Sequence, residues 1–493
     1  MIFGIIVEVL DFYFVYIDTN IISNSLRLFG NISNTFWIAI ILLSKNDLRY
    51  KLSWTIIIIF IPIFGGFIYF LFGSYKMSKK ERKVVDKIKI NSKDYMKQDY
   101  DILESIKDVD KQKNLNYIYN MSDYTLYKNS GVKYFAEGEK FFNNLVSELK
   151  KAKEYIFLNY HIISEGDLLD RVLNILYKKA EENVKIIIIF DSLASKIKIP
   201  KKFIESLEKH NIEVLEFNKN IFNIPKYLSL RDHKKIAIID GKVAYCGGAN
   251  IADEYINVDE KYGYFKDSGI KIYGEAISSY IVMFGRFYEL IKKDSFDYYK
   301  YIKHIEKRKQ ESGYILNIES YPYNSKDLIQ NMYINFINSA KEYVYITTPY
   351  LMLSEPLLVA LKNAASSGVN VKIIVPKYED KTFINKATKA FYLDLLESGC
   401  EIYEYSLGFI HSKLFLSDDS IAVCGSINMD YRSLKLSYEA ASVIYNTGEE
   451  IAIKQDFFDV LKSSEKITIE KCKNEPIYEK VFRYFAKIFS PIM

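Results

Sequence analysis

Two stretches of the chain carry the same reactive residue types at the same spacing. Each has a histidine, a lysine two residues later, an aspartate five residues after the lysine, and an asparagine ten residues after the aspartate. These residues are His233, Lys235, Asp240 and Asn250 in the first stretch, and His411, Lys413, Asp418 and Asn428 in the second. Because every matched pair is 178 residues apart, the repeat indicates two related halves.

Together, the two copies could hold and transfer a phosphoryl group. The apolar run 236–239 predicts a buried strand. Side chains two residues apart on a strand share a face, so His233 and Lys235 should point the same way. Two such edges would bring imidazoles, ammonium groups and asparagine amides to one point, where cations stabilise phosphoryl charge and an imidazole attacks phosphorus. A single copy would more often be a polar strand end, but the matched repeat favours chemistry.

Composition restricts the class of protein further. The 493 residues suffice for two or three domains. A net charge of +5, from 67 basic and 62 acidic residues, is too balanced to indicate a nucleic-acid partner. No Cys-x-x-Cys pair is present, which disfavours a zinc site or a disulfide scaffold. Among the other histidines, His161 follows a predicted strand, where it either makes a structural hydrogen bond or lines the pocket, whereas His210 and His304 lie in charged stretches.

The regions around the motifs predict an α/β fold. Hydrophobic periodicity indicates a helix at 139–153, a strand at 155–158, a helix at about 167–181, a strand at 184–190 and the motif strand at 234–240. The same order recurs in the second half. Alternating strands and helices predict mostly parallel sheets flanked by helices. We expect a first lobe at 131–310 and a second at 311–473.

The N-terminal region, residues 1–75, has the composition of membrane segments. Residues 54–73 contain no charge and are long enough to cross about 30 Å of hydrocarbon as a helix. Residues 28–43 and 1–17 are weaker candidates. The first 17 residues lack a basic start, which argues against a cleaved signal peptide. The sequence therefore predicts a multi-pass protein of the cell membrane, with two or three spans.

The segments that flank the two lobes are polar or amphipathic. Residues 76–130 are charged and weakly periodic, which predicts a helical linker. The basic residues at its start favour a cytoplasmic catalytic part. Residues 474–493 place apolar side chains at helical spacing opposite charged ones. This pattern is typical either of a docked helix or of an interfacial helix on a bilayer.

The paired motifs resemble those of the phospholipase D superfamily, and the flanking residues narrow the resemblance to bacterial cardiolipin synthases. The matching text is 231–235, 247–255, 347–350 and 430–433, which leads to Glu439. The resemblance implies two phospholipase D-like lobes that share one active site. It also implies transfer of a phosphatidyl group between two phosphatidylglycerol molecules, giving cardiolipin and glycerol. The partners would be phosphatidylglycerol, other membrane phospholipids and the bilayer, with no nucleic acid, metal or cofactor.

The same resemblance assigns roles to individual residues. His233 would be the nucleophile that forms a phosphohistidine, and His411 the acid and base. Lys235 and Lys413 would supply positive charge, and Asn250 and Asn428 would bind phosphate. Each motif would be completed by a downstream acid that orients an imidazole, Asp267 or Glu439, with Asp259 and Glu260 as nearby alternatives to Asp267. Asp240 and Asp418 belong to the catalytic motif, although in this sequence they look more structural.

Three other functions compete with phosphatidyl transfer. A phospholipase would hydrolyse the same bond with water as acceptor, and the motifs alone allow it. A nuclease of the same superfamily is disfavoured because a membrane segment adds nothing to DNA cleavage and the chain lacks a strong basic excess. A catalytically dead membrane scaffold is disfavoured because both motifs are complete.

Overall fold

The computed structural model describes residues 21–44, 46–61, 64–73, 78–196, 198–199, 202–219, 230–306, 311–321, 327–378 and 382–492. The possible span at 1–17 lies outside these residues. Within them the chain forms two large mixed sheets, one from each half, covered by helices and preceded by an N-terminal group of helices.

The first half forms a seven-stranded sheet in the order β2-β10-β8-β7-β3-β4-β5. Its strands are β2 (Ser130–Phe135), β3 (Tyr155–Tyr160), β4 (Lys185–Asp191), β5 (Glu213–Phe217), β7 (Lys235–Ile239), β8 (Val243–Gly247) and β10 (Gly269–Gly274). Two short strands of this half lie outside the sheet, β6 (Arg231–Asp232) and β9 (Tyr264–Lys266). The helices of this half are α7 (Gly138–Leu149), α8 (Asp167–Glu181), α9 (Ser192–Ser195), α10 (Phe203–Lys209), α11 (Ile277–Lys292) and α12 (Tyr298–Ile302).

The second half forms the larger sheet, in the order β1-β11-β20-β18-β17-β12-β14-β15-β21. Its strands are β1 (Leu126–Tyr127), β11 (Tyr314–Ser320), β12 (Tyr343–Thr347), β14 (Asn370–Pro376), β15 (Glu401–Tyr405), β17 (Leu414–Ser417), β18 (Ile421–Gly425), β20 (Ser437–Tyr445) and β21 (Ser464–Ile467). Short strands outside this order are β13 (Leu351–Met352), β16 (Gly408–Ile410) and β19 (Met429–Asp430). The helices are α13 (Leu328–Asn338), α14 (Glu355–Ser366), α15 (Thr382–Lys389), α16 (Tyr392–Leu396), α17 (Tyr431–Lys435), α18 (Glu449–Lys462) and α19 (Ile469–Lys473).

The helices and strands predicted in the first half are present, but the prediction of mostly parallel sheets is wrong. Only β3–β4 and β4–β5 are parallel among the pairings of the seven-stranded sheet. In each half the motif strand returns through a tight turn to an antiparallel neighbour, β7 to β8 and β17 to β18. Short turns join antiparallel strands, whereas parallel strands need a crossover, so the motif hairpins make both sheets mixed.

The two sheets pack against each other through one hydrophobic core. This core includes Ile236 and Cys246 from the first sheet and Val423 and Cys424 from the second, all almost completely buried. Cys246 and Cys424 have free thiols in β8 and β18. They occupy equivalent positions of the two halves, as expected for small apolar residues. The face-to-face packing brings the two motif edges together.

The N-terminal region folds as α1 (Ile21–Leu43), α2 (Leu48–Phe60) and α3 (Gly65–Phe72). None of the helices among the described residues has both the length and the apolar character needed to cross a membrane. The stretch 54–73 is not one continuous helix, because α2 ends at Phe60 and α3 begins at Gly65. A Cβ at Gly65 would lie 2.6 Å from the Cα of Ile58, so only glycine allows this close return.

Residues 79–127, expected to lie within a linker, pack against elements of both halves. They form α4 (Lys79–Ser92), α5 (Tyr100–Glu104), α6 (Val109–Ser122) and the edge strand β1, which pairs with β11. Leu103, Leu115 and Ile118 are buried in the shared core. The charged side chains that suggested a linker therefore belong to the solvent face of a packed helical segment.

The C-terminal helix α20 (Ile477–Phe489) combines features of both alternatives considered for it. It is docked: Ala486 and Phe489 are buried, and the Ser53 hydroxyl on α2 donates a hydrogen bond of 2.6 Å to the carbonyl oxygen of Ile488. Most of its other apolar side chains are exposed, namely Ile477, Tyr478, Val481, Phe482, Tyr484 and Phe485. An amphipathic helix thus packs by one edge and presents an apolar face to its surroundings.

Asp240 and Asp418 close the turns of the two motif hairpins. The carboxylate of Asp240 accepts hydrogen bonds from the backbone N–H groups of Lys153, Glu154 and Tyr155, at 2.8 to 2.9 Å. Asp418 accepts three equivalent bonds from residues 341–343. Both aspartates have positive φ, 54° and 53°, which aspartate tolerates better than most residues. Both carboxylates fix the start of the neighbouring strand, as the sequence suggested, and their inclusion in the catalytic set stays a prediction.

Replacing Asp240 with alanine should lower the free energy of unfolding by about 2 kcal/mol or more, because the buried N–H of Tyr155 and the part-buried N–H groups of Lys153 and Glu154 lose their acceptor. The apparent melting temperature of the purified protein measures this loss. Asp86→Ala, on the exposed side of α4, is the matched control and should melt like the parent. Equal melting of Asp240→Ala and Asp86→Ala would contradict the structural role.

Candidate active site

Each motif histidine is held by the other half of the chain. Strand β6, directly before His233, pairs in parallel with the start of β20, and strand β16, directly before His411, pairs in parallel with β9. The backbone N–H of His233 donates to the carbonyl oxygen of Tyr438 at 2.8 Å, and that of His411 donates to the carbonyl oxygen of Lys266 at 2.7 Å. The short strand before each motif histidine is therefore paired with a strand of the other half.

The orienting acids follow the same exchange. Nδ1 of His233 lies 2.9 Å from Oε2 of Glu439, and Nδ1 of His411 lies 2.6 Å from Oδ2 of Asp267. The expectation that each acid completes the motif of its own half is therefore wrong, although both predicted acids contact an imidazole. A carboxylate on Nδ1 fixes the orientation of the ring and leaves Nε2 available for chemistry. Asp259 and Glu260, the alternatives to Asp267, are exposed.

The motif lysines lie beneath the imidazoles. Nζ of Lys235 donates to the carbonyl oxygen of His233 at 2.7 Å. Nζ of Lys413 lies 2.8 Å from Nδ1 of His411 and donates to the carbonyl oxygen of the same residue. Both side chains are almost completely buried. Burial lowers the pKa of Lys235 to about 8 and that of Lys413 to about 7, so neither holds its proton as firmly as an exposed lysine.

A cavity of about 590 Å³ opens above both imidazoles. Aromatic and apolar side chains from both halves line it, including Tyr255, Phe265, Tyr350, Met352 and Phe409. Its polar lining includes His233, His411, Asn250, Asn428 and Glu439. The cavity is large enough for a phosphodiester and its immediate substituents, and it presents both reactive nitrogen-bearing rings to one bound group.

The two motif asparagines border the cavity, but their amides already have partners. Asn250 accepts a hydrogen bond from the backbone N–H of Ile162 at 3.0 Å and donates to the hydroxyl of Tyr255 at 2.7 Å. Asn428 makes a side-chain hydrogen bond with Asp430, while its Oδ1 is buried without a hydrogen-bond partner. Phosphate binding by these amides stays a prediction.

The buried ionisable groups of the site disfavour charge. Burial lowers the pKa of His233 well below its usual value, and Lys235 lowers it further. Burial likewise lowers the pKa of His411 to about 4, opposed by Asp267. Burial raises the pKa of the Glu439 carboxyl to about 8. Burial therefore favours the neutral form of both imidazoles and of the Glu439 carboxyl.

His161, for which the sequence left two roles open, combines both. It lines the cavity and makes a structural hydrogen bond, because its Nδ1 lies 2.7 Å from the carbonyl oxygen of Asp232. Its ring packs edge-on to that of His233, with centroids 4.8 Å apart. Asp191, at the end of β4, is buried and holds both the Arg231 guanidinium and the backbone N–H of Asp232. The only sequence signal for Arg231 was its place beside the first motif.

Two known family models match parts of the sequence. Residues 145–281 and 333–461 match a family model described as cardiolipin synthase, PLD-like domain. Residues 35–74 match a model described as phospholipase D-nuclease N-terminal. The first model covers more than half of the chain in two segments, and each segment contains one motif and one of the crossed acids.

Individual relatives resemble the chain along almost its whole length. A cardiolipin synthase of Oceanobacillus iheyensis is 30% identical over 467 residues, which covers 92% of this chain and 96% of that protein. A cardiolipin synthase of Listeria welshimeri is 31% identical over 475 residues, which covers 94% of this chain and 98% of that protein.

A solved structure shows the same fold. The crystal structure of phosphatidylserine synthase from Haemophilus influenzae aligns with a TM-score of 0.60 at 13% identity, covering 77% of this chain and all of that one. The family model matched in both halves and the relatives similar from end to end lead to one conclusion: the chain belongs to the cardiolipin synthase family of phospholipase D-like proteins.

Proposed function

We propose that this protein is a cardiolipin synthase, which transfers a phosphatidyl group from one phosphatidylglycerol to another and releases glycerol. One observation carries the proposal: two imidazoles, one from each half, face a single cavity, and each is held through Nδ1 by a carboxylate of the other half. Two oriented imidazoles can catalyse a covalent phosphoryl transfer in which one acts as the nucleophile and the other as the acid and base.

The first step forms the covalent intermediate. Nε2 of one imidazole attacks phosphorus of the donor phosphatidylglycerol, so that a P–N bond forms while the bond between phosphorus and the glycerol oxygen breaks. The other imidazole gives a proton to the leaving glycerol alkoxide. Burial disfavours the imidazolium that this step needs, but a bound phosphodiester anion favours it. Substrate binding would therefore prepare the acid.

The second step returns both imidazoles to their starting states. The terminal hydroxyl of a second phosphatidylglycerol loses its proton to the acid–base imidazole and attacks phosphorus. The P–N bond breaks, and the new P–O bond completes cardiolipin. Lys235 and Lys413, buried beneath the rings, would stabilise the negative charge that develops on the phosphoryl oxygens.

The choice between synthase and hydrolase depends on the acceptor that reaches the intermediate. Water exceeds any lipid hydroxyl in bulk concentration, but an oriented acceptor reacts as if at far higher concentration. Apolar side chains line much of the cavity, which favours a lipid over water. This argument supports transfer to phosphatidylglycerol over hydrolysis.

An apolar surface formed by α1–α3 and α20 would hold the cavity at the membrane. The exposed apolar residues of these four helices include Phe29, Phe36, Phe60, Phe67, Phe70, Val481 and Phe485. Helix α20 contacts α15, which contributes Ile384 to the cavity lining. We propose that this surface enters the cytoplasmic leaflet of the cell membrane, so that lipid headgroups meet the cavity.

Vesicles of phosphatidylglycerol should yield mainly cardiolipin and free glycerol, with phosphatidic acid as a minor product. Because either alcohol can intercept the phosphohistidine, added glycerol should drive the reaction backwards. Lipid chromatography with labelled phosphatidylglycerol measures all three products. Phosphatidic acid as the main product, unaffected by glycerol, would identify a hydrolase.

The matched controls for this experiment are His233→Asn and His411→Asn. Each should reduce turnover by at least about a thousandfold, since a covalent cycle needs both imidazoles. His304→Asn, outside the cavity, should keep the parent rate. Near-normal turnover in either single variant would refute the shared site.

The rate constant kcat/KM should fall as pH rises through about 7 to 8. Burial lowers the pKa of Lys413 to about 7 and of Lys235 to about 8, so the free enzyme loses its ammonium charges over this interval and binds the phosphodiester less well. Burial holds the pKa of both imidazoles well below its usual value, so their titration adds no further change over this interval. Initial rates on mixed micelles test this, and a constant kcat/KM up to pH 10 would contradict it.

Helix α20 should contribute measurably to membrane binding. The double substitution Val481→Glu and Phe485→Glu places two charges on its exposed apolar face and should lower the vesicle-bound fraction by at least about tenfold, since each buried apolar side chain is worth roughly 1.5–3 kcal/mol. Flotation with phosphatidylglycerol vesicles measures the change. Ile451→Glu, at an exposed apolar position on α18, is the control. Equal flotation of both variants would exclude α20 from the membrane surface.

A further inference from the structure

Three cations outside the two motifs line the cavity: Lys198, Arg231 and Arg432. The motif lysines are bonded to the carbonyl oxygens of the two motif histidines, and we assign them to the phosphodiester that reacts. A single donor phosphodiester carries one negative charge, which the two motif lysines can compensate. Lys198, Arg231 and Arg432 therefore add positive charge beyond the motif lysines, beside the carboxyl groups of Glu254 and Asp430 in the same lining.

The two arginines come from different halves of the chain. Arg231 lies two residues before His233 on β6, and its Nη1 donates to Oδ1 of the buried Asp191 at 3.1 Å. This ion pair holds the guanidinium in place at the cavity wall. Arg432 lies on α17, four residues after Asn428, and belongs to the wall contributed by the second half.

Electrostatics show that the two guanidinium groups lie close enough to repel each other. Burial lowers the pKa of Arg432, and Arg231 lowers it further against the opposing effect of Asp430. On the first-half side, Arg231 and Lys198 both help to lower the pKa of His161, after burial and Lys235. Asp191 pairs with Arg231, and Asp430 favours the charged form of Arg432. The two guanidinium groups are thus held as cations at the wall, where N–H groups not used by these acids can bind an anion.

A polar acceptor lies in the same cavity. Oδ1 of Asn428 is buried, borders the cavity and has no hydrogen-bond partner. A buried carbonyl oxygen without a donor costs free energy, and a hydroxyl group of a ligand would satisfy it. The cavity therefore offers cations for an anion and an acceptor for an alcohol, the two groups of a phosphatidylglycerol headgroup.

We infer that Arg231, Arg432 and Lys198 form a second anion subsite, which binds the phosphodiester of the acceptor phosphatidylglycerol while its glycerol hydroxyl is presented to the phosphohistidine. The inference rests on the proposed transfer between two phosphatidylglycerols and specifies how the acceptor is recognised. Binding the acceptor through its own phosphate gives a lipid the advantage over water and over free glycerol, which both lack that charge.

The test compares an anionic with a neutral acceptor in one reaction. Phosphatidylglycerol in mixed micelles is incubated with labelled glycerol, so that each phosphohistidine is captured either by phosphatidylglycerol, giving cardiolipin, or by glycerol, giving labelled phosphatidylglycerol. In Arg432→Gln the ratio of cardiolipin to labelled phosphatidylglycerol should fall at least about tenfold, the effect of losing a charged hydrogen bond. Lys198→Gln should lower the same ratio, and Arg432→Lys should restore part of it.

Matched controls separate this effect from loss of fold. Arg171→Gln, whose exposed guanidinium bonds to Asn143 on the outer surface, should leave the ratio unchanged. Lys198 is exposed at the cavity rim, so its replacement tests the subsite without disturbing the Arg231–Asp191 pair. Melting temperatures confirm that each variant is folded.

The outcomes are distinguishable. If both products fall together in Arg432→Gln and Lys198→Gln, these cations serve the donor phosphate, and the acceptor subsite is refuted. An unchanged ratio in both variants also refutes it. If the parent protein makes neither cardiolipin nor labelled phosphatidylglycerol, the proposed transferase function fails before the subsite is tested.

Discussion

The exchange of strands and acids between the two halves is the constraint on which the site depends. Each histidine receives a backbone hydrogen bond and a carboxylate from the other half: Tyr438 and Glu439 for His233, Lys266 and Asp267 for His411. Neither half can orient its own imidazole. Separation of the sheets would therefore remove both orienting acids at once, and the shared core that packs the sheets together is part of the catalytic apparatus.

Burial gives the site its chemistry at the expense of stability. Lys235, Lys413, Asp267 and Glu439 are all nearly inaccessible to solvent, and a buried charge is tolerated only when other groups compensate it. The structure supplies carbonyl oxygens to the lysines and imidazoles to the acids. Burial nevertheless lowers the lysine pKa values. A bound phosphodiester anion would favour the charged form of both lysines.

The cavity also links the site to the apolar surface. Helix α17 follows the second motif and carries Tyr431, whose ring stacks on Tyr50 of α2 at 6.4 Å. Helix α2 is in turn bonded to α20 through Ser53 and Ile488. The N-terminal and C-terminal helices thus contact both each other and an element of the cavity wall. A lipid headgroup that reaches the proposed membrane surface would lie beside the cavity that uses it.

The sequence by itself determined the chemistry: two His-x-Lys motifs at a constant offset, two downstream acids and the strands beside them are local patterns that hydrophobic periodicity and residue type reveal. Only the tertiary structure decided the pairing of the acids, because 206 residues separate His233 from Glu439 and 144 separate Asp267 from His411. The mixed sheets follow from the tight turns of the motif hairpins, and the break between α2 and α3 from the close approach of Gly65 to Ile58. Periodicity identifies which residues are buried, whereas the partner strand and the crossing of the halves follow from packing.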